Sequence, residues 1–258
     1  MRAFLWALAL PALAKNYAVD GIVVAVDPIA RTMLVSHRPI ARYMPAMMMP
    51  FRVEDTAALS GVHAGSRVQF DLEVGRQHSV ARNIRVTGET DVRVSDHRVA
   101  IGAALPDFRL TDQDGRQVTA ADLRGKVTAV NFLYTRCPLP DVCPRLAANF
   151  AAIARRFGDR VALVSVTVDP DYDTPAVLKE YASHWKADPR TWRFLTGDAA
   201  DLAAKLGEVY WFDEGSIGHN SMMSVFGRDG KLAAVVEGAG FRVDQLGDVI
   251  ARQLEDER

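Results

Sequence analysis

The sequence predicts two domains of different class. Residues 15–94 read as a small, five-stranded, OB-like β-barrel, and residues 105–258 as an α/β domain of thioredoxin-like fold. Three observations carry this. Residues 17–94 break into short strand-like runs separated by turns rich in Gly, Asp and Pro, with nothing helical beyond a turn or two. After Leu105 the apolar runs lose their polar interruptions and alternate with helical periods. Between them, residues 95–104 (SDHRVAIGAA) lack a clear period and read as a linker.

In the first domain the expected strands are VDGIVVAVDP, TMLVSH, MPFRVE, SRVQFDLEV and ARNIRVTG, with ALSGVHAG as a turn or short helix. The second domain opens with a hairpin, DFRLTDQDGRQVT, followed by the covered strand KVTAVNFLY. A helix over 146–157 and a second covered strand, RVALVSVTV, complete a βαβ unit. Helices follow at 176–185 and 199–206, then a hairpin turning at Asp229-Gly230, then a closing helix over 243–254. A βαβ unit followed by a hairpin and a terminal helix is a thioredoxin-like order.

With 49% hydrophobic and 24% charged residues, the 258-residue chain can build real cores and is not a disordered or collagen-like protein. A formal net charge of -1 gives no electrostatic reason to expect a nucleic-acid partner. No apolar run approaches the ~20 residues of a membrane-spanning helix. The opening MRAFLWALALPALA, residues 1–14, has a basic residue, an apolar stretch and a small-x-small end. It reads as a signal peptide exporting the chain to a bacterial periplasm. A membrane tether facing the periplasm is the alternative. Export permits a cysteine pair to cycle between dithiol and disulfide.

Four of the eight methionines fall in YMPAMMMP, as Met44, Met47, Met48 and Met49. Core packing is one account of them. In a strand, however, Met47 and Met49 share a face and Met48 takes the other. Two thioethers on one side suit Cu(I), and His37 at the end of the preceding strand offers an imidazole. Cys137 and Cys143, the two cysteines of the chain, lie in YTRCPLPDVCPRLAANF directly after a covered strand. A structural disulfide is possible in principle, but it would close little chain. The prolines instead suit a presented pair, and a helix start at Cys143 would favour its thiolate. His219, just before an apolar strand, is either a third ligand or a satisfied loop residue. Asp169 suits a role behind the site or in partner docking, while Asp173 or Thr174 suits a helix N-cap, with the weight on Asp173.

Residues 17–94 resemble the periplasmic copper-binding barrel of the CusF type, most sharply in His37-x-Pro39-Ile40 and Met44-Pro45-x-Met47-x-Met49. The resemblance implies that His37, Met47 and Met49 hold Cu(I). Where that family has a capping tryptophan this chain has Met44, so Tyr43 is the candidate cap and Met44 a candidate third thioether. Residues 98–256 resemble the SCO/SenC copper-delivery family through the Cys loop, VDPDYDTP, FLTGD, Gly218-His219 and Gly227-x-Asp229-Gly230. That resemblance implies copper, Cu(I) with Cu(II) also accepted, on Cys137, Cys143 and His219. It also implies delivery to the CuA centre of cytochrome c oxidase subunit II or another exported cuproprotein. That partner would be membrane-associated, with a copper donor or a reductant upstream. The family spaces its cysteines by three residues and this chain by five, CPLPDVC. Thiol-disulfide reduction, with Cys137 and Cys143 as the catalytic pair, is therefore the alternative function.

Overall fold

The computed structural model describes residues 15–93, 98–139, 142–213, 216–238 and 240–255; the signal-like segment 1–14 lies outside them. The chain divides into two compact units, Met1–Thr90 and Asp91–Arg258.

In the first unit, strands β1 (Lys15–Asp27), β2 (Thr32–His37), β3 (Met47–Arg52), β4 (Ser66–Val74) and β5 (Ser79–Glu89) form one antiparallel sheet. Its order is β3-β2-β1-β4-β5. The five strands are where the pattern places them, but the sheet is not closed into a barrel, which corrects the predicted fold class. β3 and β5 remain the two ends of the ladder, and the isolated Val53–Ala81 bridge does not amount to a strand pairing. Closure requires a continuous ladder between first and last strands. Pro50, without an N–H, sits in β3 and marks it as an edge strand. Register shifts between β1 and β2 and between β4 and β5 bend the sheet around Val19, Val23, Met33, Val35, Phe51, Val68 and Phe70. The segment ALSGVHAG begins as a short 3-10 turn, Thr56–Leu59, capped by the Asp55 carboxylate.

The second unit holds β6 (Val92–Arg93), β7 (Arg109–Asp112), β8 (Gln117–Thr119), β9 (Val127–Leu133), β10 (Val161–Thr167) and β11 (Trp192–Thr196). It continues with β12 (Tyr210–Asp213), β13 (Ser216–His219), β14 (Met222–Phe226) and β15 (Leu232–Glu237). Among the described residues four α-helices accompany them: α1 (Cys143–Phe157), α2 (Pro175–His184), α3 (Ala200–Lys205) and α4 (Val243–Glu255). The main sheet runs β15-β14-β9-β10-β11-β7-β8, with β9, β10 and β11 parallel and the rest antiparallel. Every residue of β9 and β10 is buried, as strands covered on both faces should be. The α/β architecture and its strand–helix order agree with a thioredoxin-like fold. Trp192 and Phe194 pack with their rings tilted by 32° and their centres 4.6 Å apart, and Phe150 of α1 meets Trp192 edge-on. This aromatic cluster ties α1 to the sheet and so holds the cysteine loop between β9 and α1.

A second sheet, β13-β12-β6, was not foreseen, because its strands are two to four residues long. In it Tyr210 pairs with His219 on one side and with Arg93 on the other. Residues 98–104 of the expected linker are also bonded into this unit: Val99 N–H donates to Lys205 at 2.9 Å and Gly102 N–H to Leu232 at 2.8 Å.

Candidate functional site

In the second unit the loop after β9 carries Cys137, and the first residue of α1 is Cys143, three residues ahead of the predicted helix start. Pro144 lies in that first turn, where a missing N–H costs nothing. Loops at the carboxyl ends of parallel strands are where α/β proteins place their chemistry. Both thiols are free; Cys143 is buried and Cys137 half-buried. His219, at the end of β13, brings Nε2 to 3.5 Å from Cys143 Sγ. The structure thus gathers three residues separated by up to 82 positions.

Behind His219 stands Glu208, which the sequence reading missed. Its Oε1 lies 2.6 Å from His219 Nδ1, and its Oε2 accepts the Met222 N–H at 2.8 Å. The two side chains are 0% and 2% exposed. A carboxylate at Nδ1 holds the proton on that nitrogen, so the neutral imidazole turns its Nε2 lone pair toward Cys143. Asn220 braces the same region, accepting Val209 N–H at 3.0 Å and donating to the Gly207 carbonyl at 2.8 Å. One signal of Glu208 existed: a carboxylate alone in the apolar run LGEVYWF needs a partner if buried.

The two thiols differ sharply. A hydrogen bond from Cys143 draws the Cys137 thiol down to about 5, against the opposing effect of burial. Cys143 goes the other way, raised because it donates to Cys137 and because it is buried. The expected thiolate at the helix start is therefore corrected. Burial and the shared proton outweigh the helix terminus, and the anion resides on Cys137. For His219, burial opposes protonation, but the Glu208 hydrogen bond and charge prevail and its pKa is raised. Tyr134 packs edge-on to His219 and accepts the Ile217 N–H at 3.3 Å. Its pKa is raised, first by burial and then by the Cys137 charge. Among the described residues no group of three or more His, Cys, Asp or Glu forms a ready-made metal cage.

Asp169 is 4% exposed and accepts from Arg136 Nε at 2.7 Å, with the guanidinium over the Tyr172 ring. It thereby anchors the residue next to Cys137. Asp173 is not the helix cap. Thr174 caps α2, accepting the Val177 N–H, while the buried Asp173 takes bonds from Thr135 N–H at 3.1 Å and from the Thr135 and Thr167 hydroxyls. Burial raises the Asp173 pKa despite these bonds. Local sequence offered both residues, and only the depth of the loop decided between them.

Gly218 precedes His219 opposite Trp211, and a Cβ there would lie 2.3 Å from the indole. Gly218→Ala should therefore shift β13 and cost about 1–3 kcal/mol of stability. Chemical denaturation checks this, and Gly88→Ala, a strand glycine without a positive φ whose Cβ would meet Arg67 Cδ at an ordinary 3.6 Å, is the uncrowded control.

In the first unit His37 faces Met47 across β2 and β3, and Val35 faces Met49. Directly opposed residues share a face, so His37, Met47 and Met49 lie together on the face of the core, and Met48 opposite Ser36 on the other. His37 is 2% exposed and its Nδ1 lies 2.7 Å from the Arg38 carbonyl. That contact places the proton on Nδ1 and leaves Nε2 buried and, among the described residues, without a hydrogen-bond partner. Met47 is 45% exposed, whereas Met49 and Met44 pack partly against the core. Tyr43 stacks on Tyr17, ring centres 4.4 Å apart. Gly21, opposite His37, lets β1 and β2 approach; a Cβ there would meet Ser36 O at 2.6 Å.

A free thiol in the loop after β9, a second at the start of α1 and an oriented imidazole at the end of β13 define a thiol–imidazole protein of the α/β class. The chain belongs to the SCO1/SenC family, whose model matches residues 100–255. Residues 16–86 match a second family, described as the copper binding periplasmic protein CusF. A SCO1 protein homolog of Bacillus subtilis is 29% identical over 135 residues, covering 48% of this chain and 69% of that protein. A solved SCO1/SenC family lipoprotein from Bacillus anthracis is 27% identical with a TM-score of 0.53, covering 61% of this chain and 98% of that one. ScoI of Arabidopsis thaliana, solved with copper bound, is 29% identical with a TM-score of 0.50, covering 61% and 99% of the two chains. Among the described residues no helix is long and apolar enough to cross a membrane.

Proposed function

We propose that this protein is a periplasmic copper chaperone with one soft-ligand site in each unit. The observation that carries the reading is the pairing of oriented imidazoles with sulfur donors. In the first unit, the Nε2 of buried His37, without a partner among the described residues, stands on the face that carries Met47 and Met49. In the second, His219 Nε2 approaches Cys143, whose partner thiol Cys137 is held as a thiolate. Thioethers and a neutral imidazole suit Cu(I), with Met44 as a further thioether and Tyr43 flanking the site. Two thiolates and an imidazole accept Cu(I) and also Cu(II). Copper is the cargo in this reading. The recipient is the CuA site of cytochrome c oxidase subunit II or another exported cuproprotein. Support for the second site comes from family membership and from a relative solved with copper bound.

The test is a Cu(I) titration of the full chain against a competing chelator. Reduced protein should take up two ions, and protein with Cys137 and Cys143 oxidised to a disulfide should take up one. No uptake, or one ion regardless of cysteine state, would overturn the two-site reading.

A second reading, thiol-disulfide reduction, is favoured by the split between the thiols. Cys137 is accessible and anionic, and Cys143 lies behind it as a thiol. The Cys137 thiolate would attack a substrate disulfide, releasing one substrate thiolate and forming a mixed disulfide. Cys143 would then close the Cys137–Cys143 bond and release the second, so two electrons pass to the substrate. His219→Ala separates the readings: it should weaken copper binding strongly under the chaperone reading and leave disulfide reduction unchanged under the reductase reading.

A further inference from the structure

We propose that Glu208 is a positioning residue that fixes the ligating face of His219 and biases the second site toward the more highly charged copper ion. This rests on the chaperone reading and deepens it. Glu208 belongs to neither the cysteine loop nor the histidine strand. It lies just before β12, eleven residues ahead of His219, and reaches it across the start of the small sheet.

Three features of the geometry point the same way. Both carboxylate oxygens are acceptors, one for His219 Nδ1 and one for the Met222 N–H. Those bonds leave a single orientation for the carboxylate and, through it, for the imidazole. Burial matters next: with both side chains almost wholly enclosed, the Glu208 charge is screened little by solvent. The third feature is reinforcement. Asn220 links the Gly207 and Val209 backbone to the residue after His219, so the two segments carrying the pair move together. A tautomer fixed by an outer carboxylate makes Nε2 the better donor. A fixed negative charge behind that donor favours a divalent over a monovalent ion, because the attraction scales with the ion's charge.

An amide cannot replace this carboxylate without loss, since its NH2 would face one of the two N–H donors. In full-length Glu208→Gln the second-site Cu(II) affinity should fall about ten- to a hundredfold. Cu(I) affinity should fall less, so the Cu(II)/Cu(I) midpoint potential rises. Glu208→Asp keeps the charge one methylene further away, and its potential should lie between the two. Equal losses for both ions, or an unchanged potential in both variants, would overturn the charge bias. Metal-free protein supplies an independent readout: 15N NMR of the neutral His219 ring should show the Nδ1–H form in the wild type and a mixture in Glu208→Gln. The same tautomer population in both would overturn the positioning role, whether or not copper binds. A wild type whose second site takes up no copper would instead remove the chaperone reading, leaving the tautomer result to stand alone.

Discussion

Substituting serine for either Cys137 or Cys143 should abolish tight Cu(I) binding by the second unit while leaving the first unit's ion in place. A hydroxyl is not a soft donor and does not ionise near neutral pH, so one substitution removes one of the two sulfur donors of the proposed site. The two variants should differ in stability. Cys143, the first residue of α1, is 0% exposed, and a serine hydroxyl enclosed there costs about 1–3 kcal/mol unless it finds a partner. The half-buried Cys137 position should tolerate serine with a smaller loss.

The wild-type thiols should also separate by alkylation rate across pH. With its pKa drawn down to about 5, Cys137 stays a thiolate from pH 9 to about pH 6, so its iodoacetamide rate should be nearly flat there and fall as pH drops through 5. Cys143, with a raised pKa and a buried sulfur, should react slowly throughout. Mass spectrometry of peptides labelled at each pH reads both rates. The order reverses if the helix terminus controls the pair, and fast labelling of Cys143 would show that. In Cys137→Ser the hydrogen bond to a thiolate is gone, so Cys143 should ionise more readily than in the wild type.

The second large effect is expected in the first unit. Met47→Leu combined with Met49→Leu should remove the proposed Cu(I) site, with affinity falling roughly a hundredfold or more, since changes beyond the ligands alone cost up to that. Leucine and methionine are close in volume, so stability should change by less than about 1.5 kcal/mol. Met47 is largely exposed and Met49 only partly buried, which limits the packing at risk. Loss of copper with an unchanged denaturation midpoint would assign the thioethers to binding and not to the core. Unchanged copper affinity with a large loss of stability would assign them to the core. Replacing His37 tests the same site less cleanly, because its ring also packs edge-on against Phe51.

What was legible beforehand follows short-range rules. Alternation along one strand puts Met47 and Met49 on the same face and Met48 on the other, and pairing with β2 confirms that division. Uninterrupted apolar runs identified β9 and β10 as covered strands, which located the loop holding Cys137. Pro144 signalled a helix start close to Cys143, although the period alone placed it later.

Other features depended on contacts distant in sequence. Whether five short strands close into a barrel is set by pairing between the first and last strands of the ladder, to which alternation within each strand is blind. Pro50 was the one local sign that β3 stays an edge. The helix start that favours a Cys143 thiolate in isolation is outweighed by the hydrogen bond Cys143 gives to Cys137 and by the burial of its own sulfur. Asp173 and Thr174 are equivalent cap candidates until the loop depth turns Asp173 inward to Thr135 and Thr167. Glu208 acquires its partner only when a hairpin of two four-residue strands, each too short to carry a period, brings Tyr210 beside His219. The donor types were thus set by the sequence, because residue identity decides softness and charge. Their protonation and orientation were set by the tertiary structure, because solvent exclusion and long-range pairing decide where each proton rests.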